Sequence, residues 1–357
     1  MILDTKMLIY KYIYHYIDRK LITSNNHILN MFKIQDILEK YYKPNEKIIL
    51  ACSTWPDSMF LLYKIIETNY KNNLIVCYFN HKLRPEADDE EKWIEDLWKK
   101  HDFIVEIGSA DIKNIQKLYP SKWLEELARE RRYGFLNAIL NIYNAEKIIT
   151  WHHLDDRIET FFFNLVRGTK LTGLINMTEK SWAILRPLLN IEKKDILKYL
   201  NDNNLEYKID NTNFDTDITR NKFRHEIIPE FLKINSNYKT NINNLISYFE
   251  ELKEFIDIEV IKFLKEQGIL IFNSCKYKIN TLEINGYFYT GDFTSLSTLL
   301  QKEIIRYIYF ISNGNSTIWL SESNIAEVIR FINGKNNKTV KDINQMKLKK
   351  ENKIIIY

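Results

Sequence analysis

Ile-Leu-Ala-Cys-Ser-Thr-Trp-Pro-Asp-Ser-Met-Phe, residues 49–60, carries an apolar strand into a short Ser/Asp turn that opens a helix. Backbone N–H groups at a strand-to-helix turn form an anion cradle, and the helix dipole adds partial positive charge. Ser53 and Ser58 can donate further hydrogen bonds, and Asp57 is suited to holding Mg²⁺. The stretch Ser53, Thr54, Trp55, Pro56, Asp57, Ser58 therefore reads as a nucleotide-phosphate loop. One feature opposes it: close approach of backbone to phosphate calls for glycine, and Thr54 and Trp55 stand there. Many buried strands also end in Ser/Asp caps, so the loop alone does not decide.

Outward from it, apolar runs near 47–52, 74–79, 103–107, 147–151 and 183–186 alternate with helical periodicity at 57–67, 88–100, 124–143 and 157–166. Buried strands separated by helix-length segments predict an α/β fold, a parallel sheet with flanking helices and right-handed crossovers. Ligands of such sheets sit at the carboxyl ends of the strands. The turns at 53–58, 81–84 and 152–156 each follow a strand end, so three loops converge on one crevice. Further on, the pattern predicts a helix over 192–201, a polar loop leading into a helix over 209–230, and a long amphipathic helix over 241–267. Strand-like alternation at 269–290 precedes helices at 296–309 and 323–332. Residues 339–357 alternate Lys with Ile, Leu and Val, which suggests strands with a basic outer face.

The blocks after the first turn are His81-Lys-Leu-Arg84-Pro85, then Glu125-Glu-Leu-Ala-Arg129-Glu-Arg-Arg132-Tyr133 and His152-His153-Leu-Asp155-Asp156-Arg-Ile-Glu159-Thr160. Arg167-Gly168, Arg186-Pro-Leu-Leu and Asp217-Ile-Thr-Arg220-Asn221-Lys-Phe-Arg224-His225 follow. In this order they resemble the tRNA(Ile)-lysidine synthetases, PP-loop ATP pyrophosphatases of the adenine nucleotide α-hydrolase-like fold, whose loop reads Ser-Gly-Gly-x-Asp-Ser. The resemblance covers about 45–232 and, more faintly, 240–357. It implies an extension or misplaced start over 1–30, with Met31 as the usual family start; a short appended helix is the alternative. A PP-loop ATP-binding catalytic domain follows over 31–232, then a helical linker over 233–267 and a smaller α+β tRNA-recognition domain over 268–357. It implies ATP and Mg²⁺ as cofactors, with free L-lysine and the CAU anticodon loop of tRNA(Ile) as partners. The product is lysidine, formed through an adenylated cytidine.

ATP activation needs phosphates held, charge neutralised and the attacking atom aligned. Asp57, Asp156 and Glu159 are carboxylates on two loops, apt for Mg²⁺ with several waters retained. Glu159 lies one turn from Asp156, so both can face one ion. Asp155 is read as the helix cap and Asp156 as the metal ligand. Arg129 and Arg132 share a helix face; alone they read as a solvated charged surface with Glu125 and Glu126. The resemblance sets at least one of them against phosphate, where a guanidinium fork fits oxygen pairs. His81, His152 and His153 are read as contacts to nucleotide or loop backbone; no Cys or His stands at zinc-ligand spacing from the His pair. Arg220, Asn221 and Arg224 form a basic turn, either a solvated helix start or an RNA phosphate contact. Arg84 and Arg186 join them as tRNA-binding by the resemblance. Lys335, Lys338, Lys341, Lys347, Lys349, Lys350 and Lys353 offer a sequence-independent grip, or a solvated sheet face.

Composition sets the frame. The 357 residues are 45% hydrophobic and 27% charged with net charge +4, which suits a soluble enzyme of two or three domains and permits nucleic-acid binding without demanding it. Cys52, Cys77 and Cys275 show no C-x-x-C pair and read as reduced core thiols of a cytoplasmic protein. No apolar run is long enough to span a membrane. The oligomeric state stays open, a homodimer among the choices. Missing C-x-x-C pairs argue against a tRNA thiolase, and no ammonia-producing domain supports a PP-loop amidase. A degenerate, non-catalytic tRNA-binding protein is the rival that explains Trp55. The chain has only 9 Gly and has 7 Trp, and Trp55, Trp151, Trp182 and Trp319 fall where the family places glycine. UGA is read as tryptophan in some genetic codes and as glycine in others. The expectation is therefore that these tryptophans, Trp55 and Trp151 foremost, are glycines in the source organism.

Overall fold

A computed structural model describes residues 34–83, 86–101, 103–208, 222–267, 287–312, 320–334, 339–343, 346–351 and 354–356. The proposed start at Met31, the tRNA candidates Arg84, Arg220 and Asn221, and Cys275 and Trp319 lie outside the described residues. So do Lys335, Lys338 and Lys353. The chain divides into two units, 1–243 and 244–357.

In the first unit a six-stranded sheet is assembled from β1 (Ile48–Cys52), β2 (Leu74–Asn80), β3 (Ile104–Ser109), β4 (Ile148–Ile149), β5 (Lys180–Ser181) and β6 (Ile184–Leu185). Their spatial order is β3-β2-β1-β4-β6-β5. All pairings are parallel except β5 with β6. β1 is buried along its whole length because both faces are covered. Ile48, Leu50 and Cys52 face one apolar cluster; Ile49 and Ala51 face the other. The helices of this unit are α1 (Ile34–Tyr41), α2 (Pro56–Ile66), α3 (Glu86–His101), α4 (Ile112–Leu118) and α5 (Leu124–Ile142). Then come α6 (Leu154–Val166), α7 (Leu171–Ile175), α8 (Lys193–Asp202), a π-helical turn (Phe223–Ile227), α9 (Ile228–Ile234) and the start of α10 (Tyr238–Glu266).

α2 supplies Met59, Phe60 and Leu62 to the first cluster, and α5 supplies Leu136 and Ile139 to the second. α5 lies so close to β3 that a Cβ on Gly108 would come 2.7 Å from the Phe135 ring. α6 ends with Gly168 at φ +77°, the left-handed position that closes a helix C-terminus. Cys52 and Cys77 are buried in β1 and β2, as expected of core thiols.

The expected parallel α/β sheet is present, and each of the five apolar runs up to residue 186 has its strand. Of the alternation expected over 269–290 only Tyr287–Tyr289 is within the described residues, and the loop expected from 209 lies outside them as far as 221. The antiparallel β5 was not predicted: two exposed residues carry no periodicity, and the strand exists only through its hairpin with β6. Topology fixes the place of the site. The chain lays β2 and β3 to one side of β1, then returns to set β4 on the other. The carboxyl ends of β1 and β4 thus border a topological switch point, where a crevice opens.

The second unit carries an antiparallel sheet in the order β7-β10-β9-β8, from β7 (Tyr287–Tyr289), β8 (Thr339–Ile343), β9 (Met346–Glu351) and β10 (Ile354–Ile356). With it are the rest of α10, α11 (Thr290–Ser295), α12 (Thr298–Ser312) and α13 (Glu322–Asn333). Its lysines are less uniform than an outer basic face. Lys347 and Lys349 are exposed, whereas Lys350 is buried and donates to the Ile332 and Gly334 carbonyls at the end of α13. Lys341 pairs with Glu327 and Lys349 with Glu351.

Candidate active site

The loop after β1 is tied to itself. Ser58 Oγ accepts from the Ser53 amide at 3.1 Å and donates to the Trp55 carbonyl at 3.0 Å. Ser53 Oγ lies 3.2 Å from Ser58 Oγ. Trp55 sits at the N-cap of α2 with ordinary extended backbone, and Pro56 takes the first helical position, where a missing N–H costs nothing. Thr54 is different. Its φ is +63°, its side chain is fully buried, and its Oγ1 has no hydrogen-bond partner among the described residues. A β-branched residue is held there in the conformation glycine adopts freely.

Asp57 opens α2 as a buried carboxylate. Across the switch point His153 caps α6: its Nδ1 accepts from the Asp156 amide at 3.4 Å, and Asp156 Oδ2 accepts from the His153 amide at 3.1 Å. The His153 ring is surrounded by carboxylates. Its Nε2 lies 3.7 Å from Asp57 and 3.6 Å from Asp156, and its Nδ1 lies 3.7 Å from Asp155. Asp155 does not cap its own helix, because His153 and Asp156 already do. It accepts instead from the Lys193 amide at 2.8 Å, where α8 begins, and from Lys239 Nζ at 2.5 Å. Burial pushes the Asp155 carboxyl up, but the Lys193 amide and Lys239 outweigh it and hold the group below its ordinary value.

Glu159, one turn along α6, is gripped by Arg224 through two bonds, Nε to Oε1 at 2.7 Å and Nη2 to Oε2 at 2.8 Å. Burial still raises its carboxyl above the usual range. Asp57 and Asp156 meet at His153, and Glu159 turns toward Arg224. Among the described residues, no three His, Cys, Asp or Glu side chains form a ready-made metal cage. Below α6 lies a cavity of about 420 Å³. Asp155, Glu159, Glu192, Arg224, Tyr238 and Lys239 are among its walls. Lys239 bridges Asp155 and Glu192, the latter at 2.9 Å.

A second group of side chains is cationic. Arg129 and Arg132 on α5 lie 4.8 and 5.5 Å from the Tyr133 ring, and Arg132 is 5.3 Å from the Trp151 ring. Trp151 stacks on His152 with centroids 6.3 Å apart. Arg186, just beyond β6, is buried and donates to the Thr178 carbonyl at 3.1 Å. Burial drives His152 down to about 4; Asp156 opposes this, while Arg186, Arg129 and Arg132 add to it. Burial and Arg129 likewise lower Arg186. Among the described residues, none of these three arginines has a carboxylate within ion-pair distance. Arg186, grouped with the tRNA contacts on sequence, is placed in the field of Arg129 and His152. His81 lies at the end of β2, its ring 4.9 Å from Phe79.

Lys193, Lys239 and Glu192 were not anticipated. A lysine at the first position of α8 opposes the helix dipole, and that misfit was the available signal.

Residues 26–231 match the family model of the PP-loop domain. Two tRNA(Ile)-lysidine synthases, from Persephonella marina and Thermosipho africanus, are each 32% identical, over 62% and 63% of this chain. The chain spans about half of their length, 50% and 55%. The tRNA(Ile)-lysidine synthase of Mycoplasma mycoides subsp. mycoides is 31% identical over 320 residues, covering 87% of this chain and 73% of that one. A U34-tRNA thiolase from Methanococcus maripaludis shares the fold, with a TM-score of 0.52 at 18% identity over 70% of this chain and 82% of that one. With its loop after β1, its switch-point crevice and these relatives, the chain belongs to the PP-loop proteins and, among them, to the tRNA(Ile)-lysidine synthase family.

Proposed function

We propose that the protein attaches L-lysine to C2 of the wobble cytidine of an isoleucine tRNA with a CAU anticodon, at the expense of ATP. The observation that carries the ATP half is the cationic group. Three guanidiniums of like sign, two of them depressed by burial, gather beside a neutral imidazole at the switch point. Such a cluster calls for a polyanion. Lysine and this tRNA rest on the family.

In the first step the cytidine O2 attacks the α-phosphorus of ATP, forming the O–P bond while pyrophosphate leaves. Arg129, Arg132 and Arg186 neutralise charge on the transferring and departing phosphates, and amides of the loop at 53–58 position them. In the second step the ε-amine of lysine attacks C2 and the C2–O bond breaks, releasing AMP. The amine must arrive without its extra proton. The cavity beside α6 suits a charged amino acid that exchanges into its existing ion pairs: Arg224, held by Glu159, would turn to a carboxylate, and Glu159, or Asp155 and Glu192 now held by Lys239, would take up ammonium groups. Mg²⁺ fits Asp57, whose buried Oδ1 has no hydrogen bond among the described residues, with Asp156 alongside. When bound it offsets phosphate charge.

One observation favours a second reading. The Trp151 indole occupies space among Arg132 and His152, as a protein that binds tRNA without turning over ATP could tolerate. Incubation with ATP, Mg²⁺, labelled lysine and the tRNA separates the two. Label at the wobble base only with ATP supports the proposal. Pyrophosphate release without label overturns the substrate, and neither signal favours the non-catalytic binder.

A further inference from the structure

Lys193 begins α8, where the dipole disfavours a cation, yet its place is fixed from both ends. Its amide donates to Asp155 at 2.8 Å, and its Nζ reaches back to Asp57 Oδ2 in the loop after β1. Asp57 is only 6% exposed, and its Oδ1 has no hydrogen bond among the described residues. A carboxylate buried to that degree needs a counter-charge. Lys193 supplies it from a side chain that is itself 33% exposed, so the chain carrying the ammonium is not locked in the core.

The proposed function gives the same carboxylate a second task, holding a divalent cation, and the role inferred for Lys193 rests on that reading. Lys193 holds Oδ2 and the divalent ion would take the free Oδ1, so the two cations would stand on one buried carboxylate and repel each other strongly. We propose that Lys193 is a tethered stand-in cation. It neutralises Asp57 in the metal-free protein, yields to the divalent ion, and is released toward the phosphates that arrive with it. Metal alone must displace an attractive partner for nothing in return. Metal with nucleotide displaces it into new anionic company. Lys193 would therefore keep the site from loading metal by itself, since apparent affinity falls by the fraction of time the carboxylate is free.

Mn²⁺ titration followed by electron paramagnetic resonance, with no nucleotide present, tests this independently of the reaction. Lys193→Met should bind Mn²⁺ at least about fivefold more tightly than wild type. Lys193→Arg, which keeps the charge, should not. The double variant Asp57→Asn, Lys193→Met should lose the gain. Equal affinity in wild type and Lys193→Met, or no binding in either, overturns the proposal. Should Lys193→Met fail to fold, wild type protein labelled at lysine ¹³Cε gives the answer. The Lys193 resonance, identified by its loss in Lys193→Arg, should move as Mg²⁺ is added. A resonance unmoved by saturating Mg²⁺ overturns the proposal. Failure of lysine transfer to tRNA with a positive Mn²⁺ result would instead fault the function and leave the stand-in cation standing.

Discussion

Thr54 and Trp182 hold φ at +63° and +52°, whereas Trp55 is at −78°. Trp182 is the first central residue of the two-residue turn between β5 and β6, since Ser181 pairs with Ile184, and it is 84% exposed. Such a turn asks for glycine at that position. A non-glycine residue there costs about 1–2 kcal/mol, so Trp182→Gly should raise the unfolding free energy by about 1 kcal/mol in urea titration. Backbone strain thus favours glycine at 54 and 182, although recoding of tryptophan leaves Thr54 unexplained. At 55 the case rests on the room phosphate needs beside the loop. If the tryptophans are recoded glycines, the gene should read UGA at 55 and 151, and Trp55→Gly with Trp151→Gly should gain ATP binding. UGG at both codons would end that idea. His152 offers a pH test. Its folded value of about 4 lies below the ordinary 6.5, so the unfolded chain takes up the proton first as pH falls. Stability should be full above pH 6.5 and decline toward pH 4, and His152→Gln should flatten that part of the curve.

At the scale of elements, α6 and its neighbours are joined by charge rather than by apolar packing alone. Lys239 of α10 ties Asp155 of α6 to Glu192 before α8. Lys239→Met should cost about 1–2 kcal/mol, because Asp155 and the buried Glu192 lose their shared ammonium, while the Lys193 amide stays on Asp155, Lys194 stays on Glu192 and some solvent screens both. The loss should vanish as pH falls through the lowered Asp155 value, since protonation ends the demand for a cation; a pH-independent loss would mean that packing is responsible. Little of this was legible in the sequence. Strands β1 and β2 announced themselves as unbroken apolar runs, β3 as one interrupted by Glu106, and α5 by its period. Lys193, Glu192 and Lys239 sit in polar stretches whose partners are 38 to 136 residues away, and no local pattern encodes such pairings. Arg129 and Arg132 could be placed on one face by spacing, but that Arg186 shares their field depends on β6 lying beside β4. The capping role went to His153 because its imidazole stands one residue ahead of Leu154, where α6 starts.

Across the whole molecule, the two units invite a division of labour. Deletion of residues 268–357, which leaves α10 intact, should spare ATP binding and weaken tRNA binding. With Lys341 paired and Lys350 buried, the salt dependence should lose only about one to two phosphate contacts' worth of slope from the described lysines. Equal tRNA affinity in both forms, measured by filter binding across salt, would deny residues 268–357 a part in recognition.

The neighbouring of β1 and β4 also constrains the order of folding. Ile49 pairs with Ile148 and Leu50 with Ile149, so the crevice is closed by partners nearly a hundred residues apart. Everything between them, β2, β3 and α5 included, must be laid down before the ring of loops can close, and long-range parallel pairing is slow. No half-made chain can present the loop at 53–58 opposite His153. Nucleotide binding therefore reports that the first unit has folded: during synthesis it should switch on only after β4, and β6 with Arg186 behind it, have emerged and docked, and a ligand that binds there should protect the central strands of the sheet from hydrogen exchange together, as one unit.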